Sequence, residues 1–315
     1  MSAARAGASA ECPVVKDAPS AGVPATGVSR GLQGMVVLVT GWTGFLGTAV
    51  VSELRLGRRA HVIGVARSAW GEGSRAADLS LPGAATELLA DLAPEAVVQL
   101  AAVPDIAPCR ADPALAARVN AGLPAEIARW CAAHGARLVH VSTDQVFDGS
   151  RGRWTEADAP RPLHAYGSSK LAGERAVLAA CPEAVVLRPA LMTGRAPAGR
   201  RSASSTLLSA LAVGDAIRLF TDEIRTPVAV VDVARALVDL VECRDIRGLL
   251  HCGGPQALSR LELGQAEAEA ADLDPSFIVP ATRAEAGLAD ERPADLSLDS
   301  SRLVALLGWT PRMLA

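Results

Sequence analysis

The only tyrosine of the chain, Tyr166, stands four residues before Lys170 in AYGSSKLAGE, and lysine occurs at just one other position, Lys16. Residues at that spacing share one face of a helix. A phenol with a pKa of about 10 exchanges protons poorly at neutral pH until a neighbouring cation stabilises its phenolate. Lys170 can supply that charge and also bond a ribose hydroxyl of a cofactor. An exposed pair on an ordinary helix is the bland alternative, but in a chain that has replaced nearly all lysine with arginine the pairing carries information.

Reducing a carbonyl also takes a hydroxyl to polarise it. The strand ARLVHVS runs into Ser142, Thr143, Asp144 and Gln145, and ligands of open α/β sheets gather at the carboxyl ends of strands. Thr143 is the candidate, with Ser142 the less favoured neighbour. Thr143, Tyr166 and Lys170 therefore form the candidate catalytic set, and no metal is required.

VVLVTGWTGFLGTAVV places Gly41, Gly44 and Gly47 between a strand and a helix, with Thr43, Phe45 and Leu46 among them. In that setting the first glycine allows a tight turn, the second admits a pyrophosphate, and the third lets helix pack on strand. The helix N-terminus offers free N–H groups to phosphate. The segment is expected to bind a dinucleotide. About twenty residues on, where an NAD binder carries an acid, the second strand ends in Ala66, Arg67 and Ser68. Arg67 suits a 2′-phosphate, which favours NADP(H) over NAD(H).

The elements that must hold these residues follow from hydrophobic rhythm. From Met35, short β-branched runs alternate with helical patterns, which predicts an α/β fold: a Rossmann-type, doubly wound parallel sheet with a smaller C-terminal α/β substrate domain. Residues 1–34, small and Pro-rich without periodicity, read as a disordered tail that is dispensable, or that translation from Met35 would omit. The NAD(P)-binding domain is expected over 35–188 plus 228–253, with GLLHCGG rejoining the first sheet, and the substrate domain over 189–227 plus 254–315. Asp232 is expected to cap the helix VDVARALVDLVEC, and Ser259 with Glu262 has capping-box spacing.

The net charge of -3 lacks the basic excess of a phosphate-backbone binder, so nucleic acid is not an expected partner. Six cysteines without a C-x-x-C pair suggest neither a zinc ribbon nor a disulfide framework, and reduced thiols are expected. No apolar stretch reaches the roughly 20 residues of a membrane span, and no secretory-type apolar region opens the chain. A cytoplasmic location is the expectation.

With TGWTGFLG, STDQVFDG and YGSSK in view, the chain resembles the extended short-chain dehydrogenase/reductase superfamily. Within it, the likeness is to the branch that holds dTDP-4-dehydrorhamnose reductase and the regulatory beta subunit of methionine adenosyltransferase. It runs from about residue 35 to the C-terminus, with further echoes in LAA at 100–102, Asn120, RTPVAVVDVA and RPADLSLDSSRL. The resemblance implies a bound NAD(P), with Asp78 and Leu79 near the adenine and Ala101 and Ala102 lining the cofactor groove. It also implies a nucleotide-sugar substrate, and it makes Thr143, Tyr166 and Lys170 the catalytic triad.

Departures narrow the chemistry. Related dehydratases carry Asp-Glu after the triad threonine, whereas Gln145 follows Asp144 here, which disfavours dehydration. The reductases usually have Tyr at the place of Gln145, so the sugar platform is altered. Asp144, Gln145, Arg225 and Arg292 are the substrate-side candidates, and Arg195, Arg200 and Arg201 are further arginines suited to a diphosphate. The reading is an NAD(P)H-dependent reductase of a 4-keto nucleotide-activated deoxysugar. A nucleotide-sugar epimerase and a non-catalytic NADP-binding regulatory subunit are the alternatives, and a homodimer is left open.

Overall fold

The central strands of the main sheet are buried along nearly their whole length, as a parallel sheet covered by helices on both faces requires. The computed structural model describes residues 31–314 apart from 69, 70, 72, 198 and 201. In chain order the first half gives β1 (Val36–Thr40), α1 (Phe45–Ser52), β2 (His61–Ala66), β3 (Ser74–Ala76), α2 (Ala84–Leu92), β4 (Ala96–Gln99), α3 (Ile106–Ala111), α4 (Pro113–Ala117), α5 (Leu123–His134), β5 (Arg137–Val141), α6 (Ala165–Ala180) and β6 (Val185–Pro189). There follow β7 (Met192–Thr193), α7 (Ala203–Ala212), β8 (Ile217–Phe220), β9 (Ile224–Arg225), β10 (Val228–Ala229), α8 (Val230–Glu242), β11 (Gly248–Cys252), β12 (Leu258–Ser259), α9 (Arg260–Ala270), β13 (Ile278–Ala281) and α10 (Ser301–Leu307).

Seven strands pair in parallel in the order β11-β6-β5-β4-β1-β2-β3. This is the doubly wound Rossmann-type sheet, and its winding reverses between β1 and β4. A crevice opens there, outside the strands' carboxyl ends. The period of two along β1 divides the core: Val37 and Val39 join a cluster under α1 and α8, and Leu38 joins another under α2 and α5. A smaller α/β body holds its own core of Leu207, Leu211, Leu219, Ala268 and Ile278 from α7, β8, α9 and β13.

Three readings are corrected. Leu32 is 1% exposed within the main core, so packed chain begins ahead of Met35; the rest of the expected tail lies outside the described residues. Asp232 does not cap α8, whose N-cap is Ala229; its carboxylate instead takes the Arg312 guanidinium at 2.6 Å and 2.9 Å. Cys243 is disulfide-bonded, while Cys109, Cys131, Cys181 and Cys252 are free and buried. The capping box of Ser259 and Glu262 is present at α9. Among the described residues no helix is long and apolar enough to cross a membrane.

Candidate active site

The turn after β1 is built so that backbone meets backbone. Gly41 has φ +67°, and a Cβ there would lie 2.9 Å from the Ala101 nitrogen. Gly47 admits no side chain either, since its Cβ would come within 2.4 Å of the Gly41 carbonyl oxygen. Thr40 Oγ1 accepts from the N–H groups of Leu100 and Ala101, both at 3.1 Å, which fixes β4's carboxyl end against the turn. Ala101 thus faces Gly41 across the crevice, with Ala102 next in the chain. Gly44 opens α1 without a side-chain cap, leaving the N–H groups of Phe45 and Leu46 directed to the same place. Thr43 Oγ1 accepts from Arg200 at 3.1 Å.

Arg67 follows β2 and is exposed. Asp78 follows β3, the edge strand pairing with β2 at Ala66 and Ala76, so a carboxylate does reach the end of β2 by a route that spacing along β2 alone cannot show. The hydroxyl and N–H of Ser80, with the Arg67 and Arg118 charges behind them, hold Asp78 below the usual carboxylate range. Leu79 packs at the edge of the second core.

Across the crevice, α6 leans on the end of β5. Tyr166 is 8% and Lys170 3% exposed. Burial raises the phenol above its ordinary range; the Thr143 hydroxyl beside it pulls the other way, and Asp144, Cys109 and Asp105 add to the rise. Lys170 stands one turn further along the same helix face. Its Nζ donates to the Val141 carbonyl at 2.7 Å, and burial brings it down to about 8 against the Glu174 charge. Thr143, not Ser142, faces the phenol, because the Ser142 hydroxyl donates to Glu174. Gln145 N–H donates to Thr143 Oγ1 at 3.2 Å.

Beyond Thr143 lies a buried cluster of charge. Thr143 Oγ1 donates to Asp144 Oδ1 at 3.2 Å, while Asp144 Oδ2 has no hydrogen-bond partner and sits 3.6 Å from Arg225 Nε. Burial pushes Asp144 up to about 6 despite that arginine. Arg225 and Arg292 both reach Glu223, at 3.2 Å and 2.7 Å; burial raises this carboxyl, but the two guanidiniums win and hold it low. Arg195 is exposed after β7, and Arg201 lies outside the described residues.

Sequence reading missed Arg218 and Arg260. With Arg292, Ser202, Thr206 and Asp105 they line a polar cleft of about 470 Å³, a size suited to a small ligand. Arg260 Nη1 is buried without a hydrogen-bond partner. A signal existed: Arg260 is the first residue of α9, where a cation opposes the helix dipole, and such local conflicts mark functional positions.

The family model described as the RmlD substrate binding domain matches residues 35–314. The dTDP-4-dehydrorhamnose reductase of Mycobacterium tuberculosis is 34% identical over 284 residues, covering 87% of this chain and 88% of that one. Methionine adenosyltransferase 2 subunit beta of Xenopus laevis is 34% identical over 273 residues, covering 84% and 80%. Among solved structures, MoeE5 in complex with UDP-glucuronic acid and NAD superposes with a TM-score of 0.72 at 29% identity, covering 88% of this chain and 93% of that one.

Proposed function

The chain belongs to the RmlD substrate binding domain family, and from that premise we propose that it is an NADPH-dependent reductase of a 4-keto nucleotide-activated deoxysugar. The observation that carries this reading is the meeting of Thr143 and Tyr166, backed by Lys170, at the carboxyl edge of the sheet whose glycine turn can cradle a dinucleotide. The side-chain-free backbone of Gly41, Gly44 and Gly47 and the uncapped start of α1 fit a pyrophosphate, with Ala101 and Ala102 as the opposite wall. Likeness to a reductase and to a NAD-bound structure supports it.

Bound there, a nicotinamide cofactor supplies the hydride. Thr143 donates a hydrogen bond to the substrate carbonyl oxygen, and Tyr166 delivers its proton to that oxygen as the carbon is reduced. A phenol raised above its ordinary range stays protonated throughout the neutral region, as a donor must. Lys170, cationic below about 8, holds the strand end through the Val141 carbonyl. The test is NADPH absorbance with a panel of nucleotide 4-ketosugars; no consumption with any of them sinks the reading.

Two variants separate the halves of the site. Arg67→Ala is expected to raise the Michaelis constant for NADPH by about tenfold to a hundredfold, the worth of a charge-assisted hydrogen bond, with the NADH constant unchanged. An equal loss with both cofactors removes Arg67 from the 2′-phosphate. Arg260→Met is expected to raise the sugar-nucleotide KM by about tenfold or more with dinucleotide affinity intact, because its unpaired Nη1 is buried in the cleft that would take the diphosphate. Unchanged KM places the anion elsewhere.

A second reading, a cofactor-filled subunit that docks on a partner enzyme, has the likeness to the methionine adenosyltransferase subunit behind it. Co-purification with a partner and no ketosugar reduction would establish it instead.

A further inference from the structure

Helix α6 meets the end of β5 at three successive levels. Tyr166, Lys170 and Glu174 are spaced by four, so they stack along one helix face, and Glu174, like the other two, is buried, at 3% exposure. Three consecutive residues of the strand end oppose them: Thr143 lies against the phenol, the Val141 carbonyl accepts from Lys170 at 2.7 Å, and the Ser142 hydroxyl donates to Glu174. Glu174 is itself clamped from behind. Arg188 on β6 donates to both its oxygens, at 2.8 Å and 2.6 Å, and reaches His251 on β11 at 3.3 Å.

We propose that Glu174 is a positioning residue for the reduction, acting through Lys170 and through the Ser142–Thr143 strand end. The proposal rests on the reductase reading. Burying a carboxylate and a guanidinium carries a large desolvation penalty that apolar residues of similar volume would avoid, so core filling alone does not account for the pair. Lys170 needs a counter-charge because burial disfavours its ammonium. The charged and titratable groups that bear on it are Glu174 on its own helix, Cys109 on α3 and His140 on β5, with Tyr166 a turn away on the same helix face. Burial keeps the phenol and the Cys109 thiol neutral, and burial together with Lys170 keeps His140 uncharged. The Glu174 carboxylate is left as the anion that holds Lys170 as a cation, and Arg188 fixes where that anion sits.

The scarcity of lysine makes this directly measurable. With lysine only at 16 and 170, labelling lysine with carbon-13 gives two ε-carbon resonances, and one of them reports Lys170 in the full chain without substrate or cofactor. The wild type is expected to titrate near 8. Glu174→Gln is expected to move that midpoint down by about one unit or more, by loss of the opposite charge. The alkaline limb of kcat should move down with it. Because Glu174→Gln strands Arg188, the neutral pair Glu174→Gln/Arg188→Gln is measured alongside, with a downward shift again expected. A Lys170 midpoint unchanged in the folded variants, or a displaced midpoint with an unmoved kcat limb, overturns the proposal. A wild type that reduces no ketosugar ends the reductase reading instead, and the titration still decides whether Glu174 governs Lys170.

Discussion

Tyr166→Phe is expected to lower kcat by roughly a hundredfold or more, the usual worth of a positioned proton donor, with substrate KM and dinucleotide affinity little changed. The substitution keeps the ring, and with it the contacts to Cys109 and Ala116 and the stacking on His164 at 6.1 Å. What is lost is the hydroxyl beside Thr143, a hydrogen bond worth about 1 kcal/mol to the fold, so thermal unfolding should shift only slightly. The neighbours that hold a proton at neutral pH are engaged elsewhere, Lys170 on the Val141 carbonyl and Cys109 on the Val103 carbonyl. Asp144 is the nearest acid behind Thr143, and it holds a proton only below about 6. Residual turnover in the variant should therefore rise as pH falls toward that value, where wild-type turnover should not. NADPH absorbance across pH 5.5 to 9 (roughly the span of the two groups) measures both; near-wild-type turnover at pH 7 removes Tyr166 as the donor.

What the sequence made legible was local. Tyr166 and Lys170 lie within one helix turn, and the glycine turn declares itself in seven consecutive residues, so periodicity and spacing suffice for both. Arg67 was visible for the same reason, at the end of a clear strand. The features that went unread depend on pairings between distant segments. Glu174 stands in the same helix as the Tyr–Lys pair, yet nothing in AGE shows that Ser142 and Arg188 converge on it from two strands. Asp78 was named through resemblance alone; that it reaches the end of β2 depends on a three-residue edge strand, too short to carry periodicity, pairing there. Asp232 has the position of a cap, but Arg312, 80 residues on, claims its carboxylate. Spacing gave the pairing of Lys170 with Tyr166 but not its surroundings: the ammonium donates to the Val141 carbonyl, and burial is the largest influence on the phenol. Arg260 is the instructive miss, since a cation at the first position of a helix was readable as a conflict before any fold was known.

Gly47→Ala is expected to cost roughly 1 to 3 kcal/mol, the range for forcing extra volume into a packed site, and to weaken dinucleotide binding by more than about tenfold, a loss of about 1.4 kcal/mol or more. The added methyl would stand 2.4 Å from the Gly41 oxygen and 2.6 Å from the Trp42 Cα. Both are backbone atoms of the same turn, so no side chain can swing aside. Relief must come from α1 moving away from the turn, yet Leu46, Val50 and Val51 anchor it in the main core. Either the turn deforms or the helix start withdraws, and each draws the N–H groups of Phe45 and Leu46 away from where a pyrophosphate would sit. Gly135→Ala is the control, since Gly135 has the same φ of +67° but no atom within 4 Å of an added Cβ. Its left-handed strain should cost about 1 kcal/mol without touching affinity. Thermal unfolding and calorimetric titration with NADPH on both variants distinguish the outcomes: if Gly47→Ala loses stability no more than Gly135→Ala and binds as tightly as wild type, the glycine turn is a structural bend and the crevice at β1 and β4 is not where the dinucleotide lies.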